Sequence, residues 1–482
     1  MFKKTTLFLL LLALAAALPA QELVSYTLIG SKSQAQLAAQ FNLPFIQFGA
    51  RYYKVTYSSH DLTGVQDTLS GFVVVPDNNS KIYPRLVYQH GTSSSKDNVP
   101  SSYGQPGGEE GDIPVFFAGM GFVSLAPDYL GLGISKGFHP YVHAESETWV
   151  ALDMLRAFDS LQTQIDVHTN EQLFLTGYSQ GGHASMALHH AVETDPNAEF
   201  TATAASHMSG PYSIGEVMRD FILSDSVYFY PAYIPNTLLS YQVVYGNLFD
   251  QVEDVFRAPY ADPIGQFFTG QLNLGDLNNL LINQLIATEG ECRPTRMIQD
   301  SIKQVVASDP DHPVNIALRA NDVYKWAPQA PTRLFYCKAD DQVPYLNSLV
   351  ARDTMLALGA VDLAAANPDS TATHVECVEP AVISTLAFFL GYQQIGEVSY
   401  TGESQVDAGL FSVQPNPADT YVEVHTGREG ELLVYDITGR LVAQRAVSGD
   451  VLEMAVGDWE KGVYLFVWRH GGRVEVDRVV IR

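Results

Sequence analysis

Cysteine is scarce in this chain, with three among 482 residues. Three cysteines cannot cross-link so long a chain, so a small scaffold held together by disulfides is excluded. Disorder as the dominant state is excluded as well, because 46% hydrophobic residues against 17% charged residues supply enough apolar surface to offset the chain entropy lost on folding. From the length we expect two or three domains.

Basic side chains are also few. The sequence has 28 lysines and arginines against 53 acidic residues, which gives a formal net charge of −25. A protein with this charge repels nucleic acids and anionic lipid surfaces before contact. We therefore predict no nucleic-acid partner.

Long hydrophobic runs are absent beyond the amino terminus. Lys3 and Lys4 precede an apolar run at residues 7–18, and Pro19-Ala20 follow it, which is the order of a secretory signal peptide. An anchoring helix is the alternative, but the run has about 12 residues where a membrane span needs about 20. We predict a signal peptide at residues 1–20, cleavage after Ala20, and an exported protein that has no integral membrane segment once the signal is removed.

The residues that follow carry the pattern of an α/β fold. Residues 50–75 alternate apolar and polar side chains, which predicts an antiparallel pair of strands. Later apolar runs, bounded by Gly, Pro or Asp, predict strands buried on both faces of a parallel sheet, at Leu86–Tyr88, Phe122–Leu125, Leu173–Leu175 and Leu334–Tyr336. Helical patterns at residues 150–161 and 184–192 lie between them. The alternation predicts a doubly wound α/β domain, which we assign to residues 21–392.

Two segments depart from this alternation. Residues 211–330 stand where a short crossover is expected and are rich in aromatic residues, leucine and proline. We predict a helical cap there, because structureless loops of that length are uncommon. A polar linker at residues 393–410 then leads to short β runs at 411–482, which predict a small all-β sandwich domain.

The sharpest chemical motif is Gly177-Tyr178-Ser179-Gln180-Gly181, which follows an apolar strand and precedes a helix. A serine on such a tight strand-to-helix turn needs small neighbours, because side chains at the two glycines would collide with adjacent chain. The turn holds the hydroxyl above the sheet. Ser179 is therefore the candidate nucleophile, and a structural glycine-rich turn is the alternative.

A serine nucleophile needs a general base, and in this fold class the acid and then the histidine follow the serine along the chain. His374 is the candidate base, because the other histidines after Ser179 lie in the nucleophile's own helix, behind the next predicted strand, in the cap or in the β domain. Two carboxylates end the preceding predicted strand. We favour Asp340 as the acid that orients the imidazole, from its Asp-x-x-Val-Pro spacing, while Asp341 stays open for that role or as a helix N-cap.

Negative charge on a substrate oxygen needs backbone donors, one after the nucleophile and one after the first parallel strand. We assign these donors to Gln180 and Thr92. His90, in the same loop as Thr92, is expected to brace that loop, with direct chemistry as the alternative. The Gly-x-Gly at 131–133 does not extend into a dinucleotide motif, and the sequence has no zinc-protease, phosphate-loop or Cys-x-x-Cys motif. We predict no cofactor and no metal.

The motifs at 89–92, 127–133 and 177–182, followed by Asp340 and His374, resemble those of α/β-hydrolase serine esterases, and most closely secretory lipases. The resemblance covers residues 22–392. It implies an α/β-hydrolase sheet with a helical cap and the hydrolysis of small or lipid carboxylic esters through a Ser-His-Asp triad.

The tail resembles a C-terminal type IX secretion sorting domain of the type A kind. The residues that carry the resemblance are Pro415-Asn416-Pro417-Ala418, Leu433–Arg440, Lys461–Leu465 and Arg478–Arg482. The resemblance implies interaction with secretion machinery, passage through the periplasm, and a secreted or outer-surface location, usually with removal of the tail. A carbohydrate-binding β module is the alternative.

Other interpretations stay open at this point. A peptidase on the same fold would need an acidic pair in the cap to hold a free amine, for which Glu289 and Glu291 are present. A surface binding protein without turnover is the other alternative. Outside the cytoplasm, Cys337 and Cys377 are a candidate disulfide that leaves Cys292 unpaired, although spacing does not decide connectivity.

Overall fold

The computed structural model describes residues 22–105, 110–398, 411–437, 439–470 and 473–482. The predicted signal peptide and most of the predicted linker lie outside the described residues. Within the described ranges, no helix combines the length and the apolar character that a membrane span requires.

A mixed sheet of ten strands forms the centre of the larger domain. Its strands are β1 (Leu23–Lys32), β2 (Ala50–His60), β3 (Gln66–Pro76), β4 (Lys81–Gln89), β5 (Val123–Pro127), β6 (His168–Tyr178), β7 (Ala204–Met208), β8 (Thr332–Phe335), β9 (Leu363–Ala366) and β10 (Gly396–Glu397). They lie in the order β1-β2-β3-β5-β4-β6-β7-β8-β9, with β10 added to β4. The strands from β5 to β9 in this order run parallel, and the others pair antiparallel.

Thirteen α-helices accompany this sheet in the described residues. They are α1 (Gln34–Gln40), α2 (Asp112–Gly119), α3 (Ala144–Gln164), α4 (Gln180–Thr194), α5 (Arg219–Leu223), α6 (Tyr233–Tyr245), α7 (Val252–Val255), α8 (Ala261–Phe268), α9 (Leu274–Glu289), α10 (Asp300–Ser308), α11 (Pro313–Ala320), α12 (Leu346–Ala357) and α13 (Val378–Leu390). Short 3₁₀ turns lie at Pro100–Ser102 and Pro294–Met297, and a π-helical turn lies at Ile214–Met218.

Side chains that alternate along the central strands enter two different cores, one on each face of the sheet. On β6, Phe174 packs on Phe389 of α13 and on Phe122, in the cluster that also contains the aromatic residues of α2. Its neighbours Leu173 and Leu175 pack on the other face, in the cluster that contains the apolar side of α3. Burial on both faces explains why these strands are unbroken apolar runs in the sequence.

The long insertion between β7 and β8 is helical. Helices α5–α11 share an apolar core of their own, which includes Leu239, Tyr241, Phe256 and Leu281. Tyr141 and Val142, from the segment before α3, join this core, and the hydroxyl of Tyr141 also contacts Thr92 in the loop after β4, at the carboxyl edge of the sheet. A helical cap on the carboxyl edge of the sheet is therefore confirmed.

The carboxyl-terminal residues form two small antiparallel sheets that pack face to face. The strands are β11 (Ser412–Gln414), β12 (Tyr421–His425), β13 (Gly430–Asp436), β14 (Leu441–Val447), β15 (Val451–Ala455), β16 (Gly462–His470) and β17 (Arg473–Ile481). The strand orders are β11-β12-β15 and β14-β13-β16-β17. Their shared core contains Trp468, Phe466 and Val434, all fully buried. Because the two sheets share one core, this domain is a β-sandwich.

The predicted fold class, an α/β-hydrolase sheet with a helical cap followed by a small β domain, is confirmed by this architecture. Three details differ from the sequence interpretation. The exposed edge strand β1 and the alanine-rich β9 were missed, because neither has a clear apolar alternation. His207 lies within β7 rather than after it, and the strand that precedes His374 is β9 rather than β8. The exact domain boundaries remain predictions.

Candidate active site

Ser179 sits on a strained turn between β6 and α4. Its φ of 59° is positive, a conformation that residues other than glycine seldom adopt. A Cβ atom at Gly177 would lie 2.1 Å from the backbone oxygen of Gly181, and one at Gly181 would lie 1.8 Å from the backbone oxygen of Gln89. The Gly-x-Ser-x-Gly spacing is therefore a packing requirement of the turn, because β4 and the start of α4 approach each other without room for a side chain.

His374 and Asp340 meet at the same edge of the sheet. Asp340 follows β8 and His374 follows β9, and Asp340 Oδ2 lies 2.7 Å from Nδ1 of the imidazole. Both side chains are almost completely buried. Asp340 Oδ1 accepts the backbone N–H groups of Gln342 and Val343, so its carboxylate is held from its own loop as well. Asp341, the alternative acid, instead accepts the backbone N–H of His374.

A disulfide joins the two loops that carry these side chains. Cys337 follows β8, three residues before Asp340, and Cys377 follows His374 by three residues. Both sulfurs are buried. The cross-link therefore holds the candidate acid and the candidate base together, and Cys292 is the free cysteine, buried in the cap.

The candidate base lies next to the nucleophile turn. The hydroxyl of Tyr178, the residue before Ser179, donates to the backbone oxygen of His374 at 2.5 Å, and the two rings are 5.0 Å apart. The Nε2 atom of His374 is the ring nitrogen that faces away from Asp340. Among the described residues, no hydrogen bond joins this nitrogen to Ser179 Oγ.

The two candidate oxyanion donors lie on either side of Ser179. Gln180 begins α4, and Thr92 belongs to the loop after β4, where a Cβ atom on Gly91 would lie 3.8 Å from the Ser179 Cβ. Neither the N–H of Gln180 nor that of Thr92 has an acceptor in the described part of the chain. The Thr92 hydroxyl is 3.0 Å from that of Tyr141.

His90 is packed against the residues that support this loop. Its ring stacks on Tyr129 with 4.2 Å between ring centroids, and Nδ1 lies 2.7 Å from the backbone oxygen of Gly91. Burial lowers the pKa of His90 to about 4, so the ring is neutral at neutral pH. These contacts correspond to the expected bracing role.

Two neighbouring cavities lie between the nucleophile and the cap and share part of their walls. The first, of about 60 Å³, is lined by Ser179 together with Tyr141, Val142, Pro211, Ile214, Met218, Tyr233, Thr237, Gln342 and Val343. The second, of about 110 Å³, shares Ile214, Met218, Tyr233 and Thr237 with the first. It lies between α5, α6, α10 and α11, and its lining surface is mostly apolar, although Arg219 and Lys303 also border it.

Sequence reasoning missed the residues of the cap that line these cavities. The richness of the cap in aromatic and aliphatic side chains indicated an apolar wall, but no local motif singled out Ile214, Met218 or Tyr233. The described residues contain no cluster of His, Cys, Asp and Glu that suits a metal ion.

The larger domain is similar to solved structures of esterases and lipases. The rice cell wall degrading esterase LipA from Xanthomonas oryzae is 24% identical, with a TM-score of 0.68 over 77% of this chain and 99% of that one. A second structure of that esterase is 25% identical, with a TM-score of 0.66 over 76% of this chain and 95% of that one. Candida antarctica lipase A in its closed state is 15% identical, with a TM-score of 0.56 over 77% of this chain and 81% of that one.

The carboxyl-terminal domain matches a family model described as a secretion system C-terminal sorting domain, over residues 412–482. This match confirms the predicted resemblance of the tail. No curated protein matches the chain.

Proposed function

We propose that this chain, which combines the α/β-hydrolase fold with a secretion-system sorting domain, is an exported serine hydrolase. It cleaves carboxylic esters through an acyl-enzyme. The observation that carries the proposal is the Asp340–His374 pair beside the strained turn of Ser179. The esterase and lipase structures similar to this chain support the same reaction class.

Acylation begins when Ser179 Oγ attacks the ester carbonyl and His374 Nε2 takes the serine proton. Asp340 keeps the imidazole in the required tautomer by accepting the Nδ1–H, and it stabilises the imidazolium that forms. The N–H groups of Gln180 and Thr92 donate to the oxyanion of the tetrahedral intermediate. When the intermediate collapses, the carbon–oxygen bond breaks and His374 gives its proton to the departing alcohol.

Deacylation repeats these steps with water as the nucleophile. His374 removes a proton from water, the hydroxide adds to the acyl carbonyl, and the same two N–H groups hold the second oxyanion. Collapse returns the proton to Ser179 and releases the carboxylic acid. The missing Ser179–His374 hydrogen bond is compatible with this cycle, because catalytic hydrogen bonds often tighten only in the substrate complex.

The cavities in the cap support an ester with an apolar group. A site lined by apolar side chains gains affinity by removing hydrocarbon from water, at about 25 cal/mol per Å². Most of the lining surface of the second cavity is aliphatic or aromatic, with Arg219 and Lys303 at its border, so it suits an aliphatic chain better than a sugar moiety.

The sorting domain supports export by a type IX system, with delivery to the cell surface or medium. A peptidase activity has less support. Glu291 is paired with Arg293 on the cap surface, and neither Glu289 nor Glu291 lines the cavity at Ser179.

A panel of p-nitrophenyl esters of increasing acyl length tests the proposal, together with labelling by a fluorophosphonate. We expect hydrolysis and labelling by the wild-type protein, and loss of both in Ser179→Ala. Activity on short esters alone would reject the lipase version but leave the esterase version. Faster cleavage of an aminoacyl amide than of the matched ester would favour the peptidase, and no hydrolysis or labelling would reject a serine hydrolase.

Export is tested separately by cell fractionation. We expect the full chain at the cell surface or in the medium, and a chain that lacks residues 411–482 in the periplasm. Surface delivery of the truncated chain would contradict the sorting role of the tail.

A further inference from the structure

A chain of buried polar side chains lies behind the nucleophile turn, and the proposed mechanism uses none of it. Gln180, the residue after Ser179, donates its side-chain Nε2 to Oε1 of Glu147 at 3.0 Å. Oε2 of Glu147 lies 2.7 Å from Nδ1 of His183. Gln180, Glu147 and His183 are each at most 1% exposed. Side chains of this type are seldom buried so completely without a specific role.

His183 is held between two partners. Nδ1 faces the carboxylate of Glu147, and Nε2 faces the backbone oxygen of Asn321 at 2.9 Å. Both ring nitrogens are therefore engaged, and the ring links Glu147 to the residue that follows α11.

The side chain of Gln180 is held from two directions. Its Nε2 also lies 2.9 Å from Nε2 of His139, whose Nδ1 faces the backbone oxygen of Leu130 at 2.8 Å. The Nδ1 atom of His139 therefore donates and its Nε2 accepts from Gln180. Burial lowers the pKa of His139, which keeps that nitrogen available as an acceptor. The two hydrogens of the Gln180 side-chain amide are therefore donated to Glu147 and to His139.

Glu147 connects the nucleophile turn with two other parts of the site. Its backbone oxygen accepts from the side chain of Gln89 at 3.4 Å, and Gln89 ends β4, directly before the loop that carries Thr92. Through His183 it also reaches Asn321, whose side chain donates to the hydroxyl of Tyr245 in the cap. The segments of both candidate oxyanion donors and the cap are thus connected through one residue, Glu147.

We propose that the hydrogen-bonded Glu147–His183 pair positions Gln180 so that its backbone N–H points at the oxyanion, an inference that rests on the proposed esterase function. Both residues are positioning residues, because they act through Gln180 and touch no reacting atom. A buried pair of ionisable side chains contributes little net stability compared with apolar side chains, so stability alone is a poor reason for it. Oxyanion donors, by contrast, are effective only when their geometry is set before the reaction.

The chain offers a matched control in the same helix. His189 and Glu193 form a second His–Glu pair at 2.9 Å, largely buried and about 14 Å or more beyond Gln180 along the axis of α4. We compare Glu147→Leu with Glu193→Leu on a soluble p-nitrophenyl ester, well below the melting temperature of both variants. Leucine removes the acceptor of the Gln180 side chain, which glutamine would retain. For Glu147→Leu we expect kcat to fall about tenfold or more with KM within about twofold, since losing one donor outright costs roughly 10²-fold to 10³-fold. For Glu193→Leu we expect kcat within about twofold of wild type, even if its melting temperature falls.

A double-mutant cycle then separates positioning from general damage. Gln180→Ala retains the backbone N–H but removes the side chain through which Glu147 acts, so it should lower kcat about as much as Glu147→Leu. The double variant Glu147→Leu/Gln180→Ala should be no slower than either single variant, because both break the same connection. Gln180→Ala removes neither member of the Glu147–His183 pair, so it provides the test even if Glu147→Leu fails to fold.

Three results would overturn the inference: a wild-type kcat in Gln180→Ala, equal losses in Glu147→Leu and Glu193→Leu, or additive losses in the double variant. Each requires an active wild-type enzyme, so each leaves the proposed function intact. Absence of activity in the wild-type protein would reject the proposed function instead.

Discussion

Asp340 and His374 lie 34 residues apart in the chain, and their side chains meet at 2.7 Å. The carboxylate of the adjacent residue, Asp341, accepts the backbone N–H of the same histidine at 3.0 Å. Two neighbouring acids thus hold one histidine in different ways. The first determines the tautomer of the ring, and the second helps to fix the position of its backbone.

This difference predicts unequal effects of two isosteric substitutions. Asp340→Asn should lower kcat by about 10³-fold to 10⁴-fold, because an amide at this position favours the wrong imidazole tautomer. Asp341→Asn retains an oxygen that accepts the backbone N–H, so we expect a loss below about tenfold. The kcat of both variants on one soluble ester is the measurement, and a larger loss in Asp341→Asn would reverse the assignment of the acid.

The disulfide between Cys337 and Cys377 should stabilise the folded protein. It closes a loop of 40 residues, and a cross-link of that span is worth about 4 kcal/mol through the entropy of the unfolded chain. We expect one titratable thiol in denatured protein without reductant, and three after reduction. The free energy of unfolding of Cys337→Ser/Cys377→Ser should fall by several kcal/mol, whereas three thiols before reduction would show that the bond is absent.

The nucleophile turn should not tolerate a methyl group. Gly181→Ala would bring a Cβ atom to 1.8 Å from the backbone oxygen of Gln89, so we expect a loss of at least about 3 kcal/mol in unfolding free energy. Gly265→Ala in α8 is the control, because its Cβ atom would meet nothing within 4 Å. For Gly265→Ala we expect an unchanged unfolding free energy, or an increase of up to about 1 kcal/mol from the higher helix propensity of alanine. Urea unfolding of the two variants checks both values, and equal stabilities would contradict the packing argument.

Stability should decrease with acidification, in part because of His143 at the start of α3. Burial, with a contribution from the nearby charge of His183, lowers the pKa of His143 to about 4, whereas the unfolded chain binds a proton below about pH 6.5. The unfolded state therefore gains protons first, and the free energy of unfolding falls between these two values as the pH falls. At pH 5, His143 lowers the free energy of unfolding by about 2 kcal/mol.

The variant His143→Asn isolates this contribution. In the wild type, His143 Nδ1 accepts the backbone N–H of Ser146 at the start of α3. Asparagine also provides an acceptor for this N–H, but its side chain does not titrate. We measure the free energy of unfolding with urea at pH 7 and at pH 5. Its decrease between the two pH values should be about 2 kcal/mol smaller in the variant than in the wild type. An unchanged difference would assign the acid sensitivity to other groups.

The cavities in the cap should determine the accepted acyl length. Ile214 lines both cavities, whereas Leu223 lines only the second, farther from Ser179. Ile214→Trp should therefore raise KM for medium and long acyl chains, and Leu223→Trp should affect only the longest chains in the panel. The dependence of kcat/KM on acyl length measures both, and identical profiles would mean that the chain does not enter the cap.

The nucleophile turn was predictable because its constraint is local. The collision between Gly177, Gly181 and the end of β4 is set by residues that are close in the chain or in adjacent strands, so the glycine spacing carries the information directly. The central strands were predictable for a related reason, since burial on both faces requires an unbroken apolar run. β9 was missed because Leu-Ala-Ala-Ala has no such run.

The sequence alone determined the fold class, the sandwich tail and the small set of residues from which the candidate site is built. Only the tertiary structure decided which of two adjacent aspartates faces the imidazole, which cysteines pair, and that Glu147 meets His183 behind Gln180. These contacts join residues 34 to 40 positions apart in the chain. Their partners are selected by how strands and helices pack, because hydrogen bonding and disulfide geometry depend on distances in space that residue order does not set.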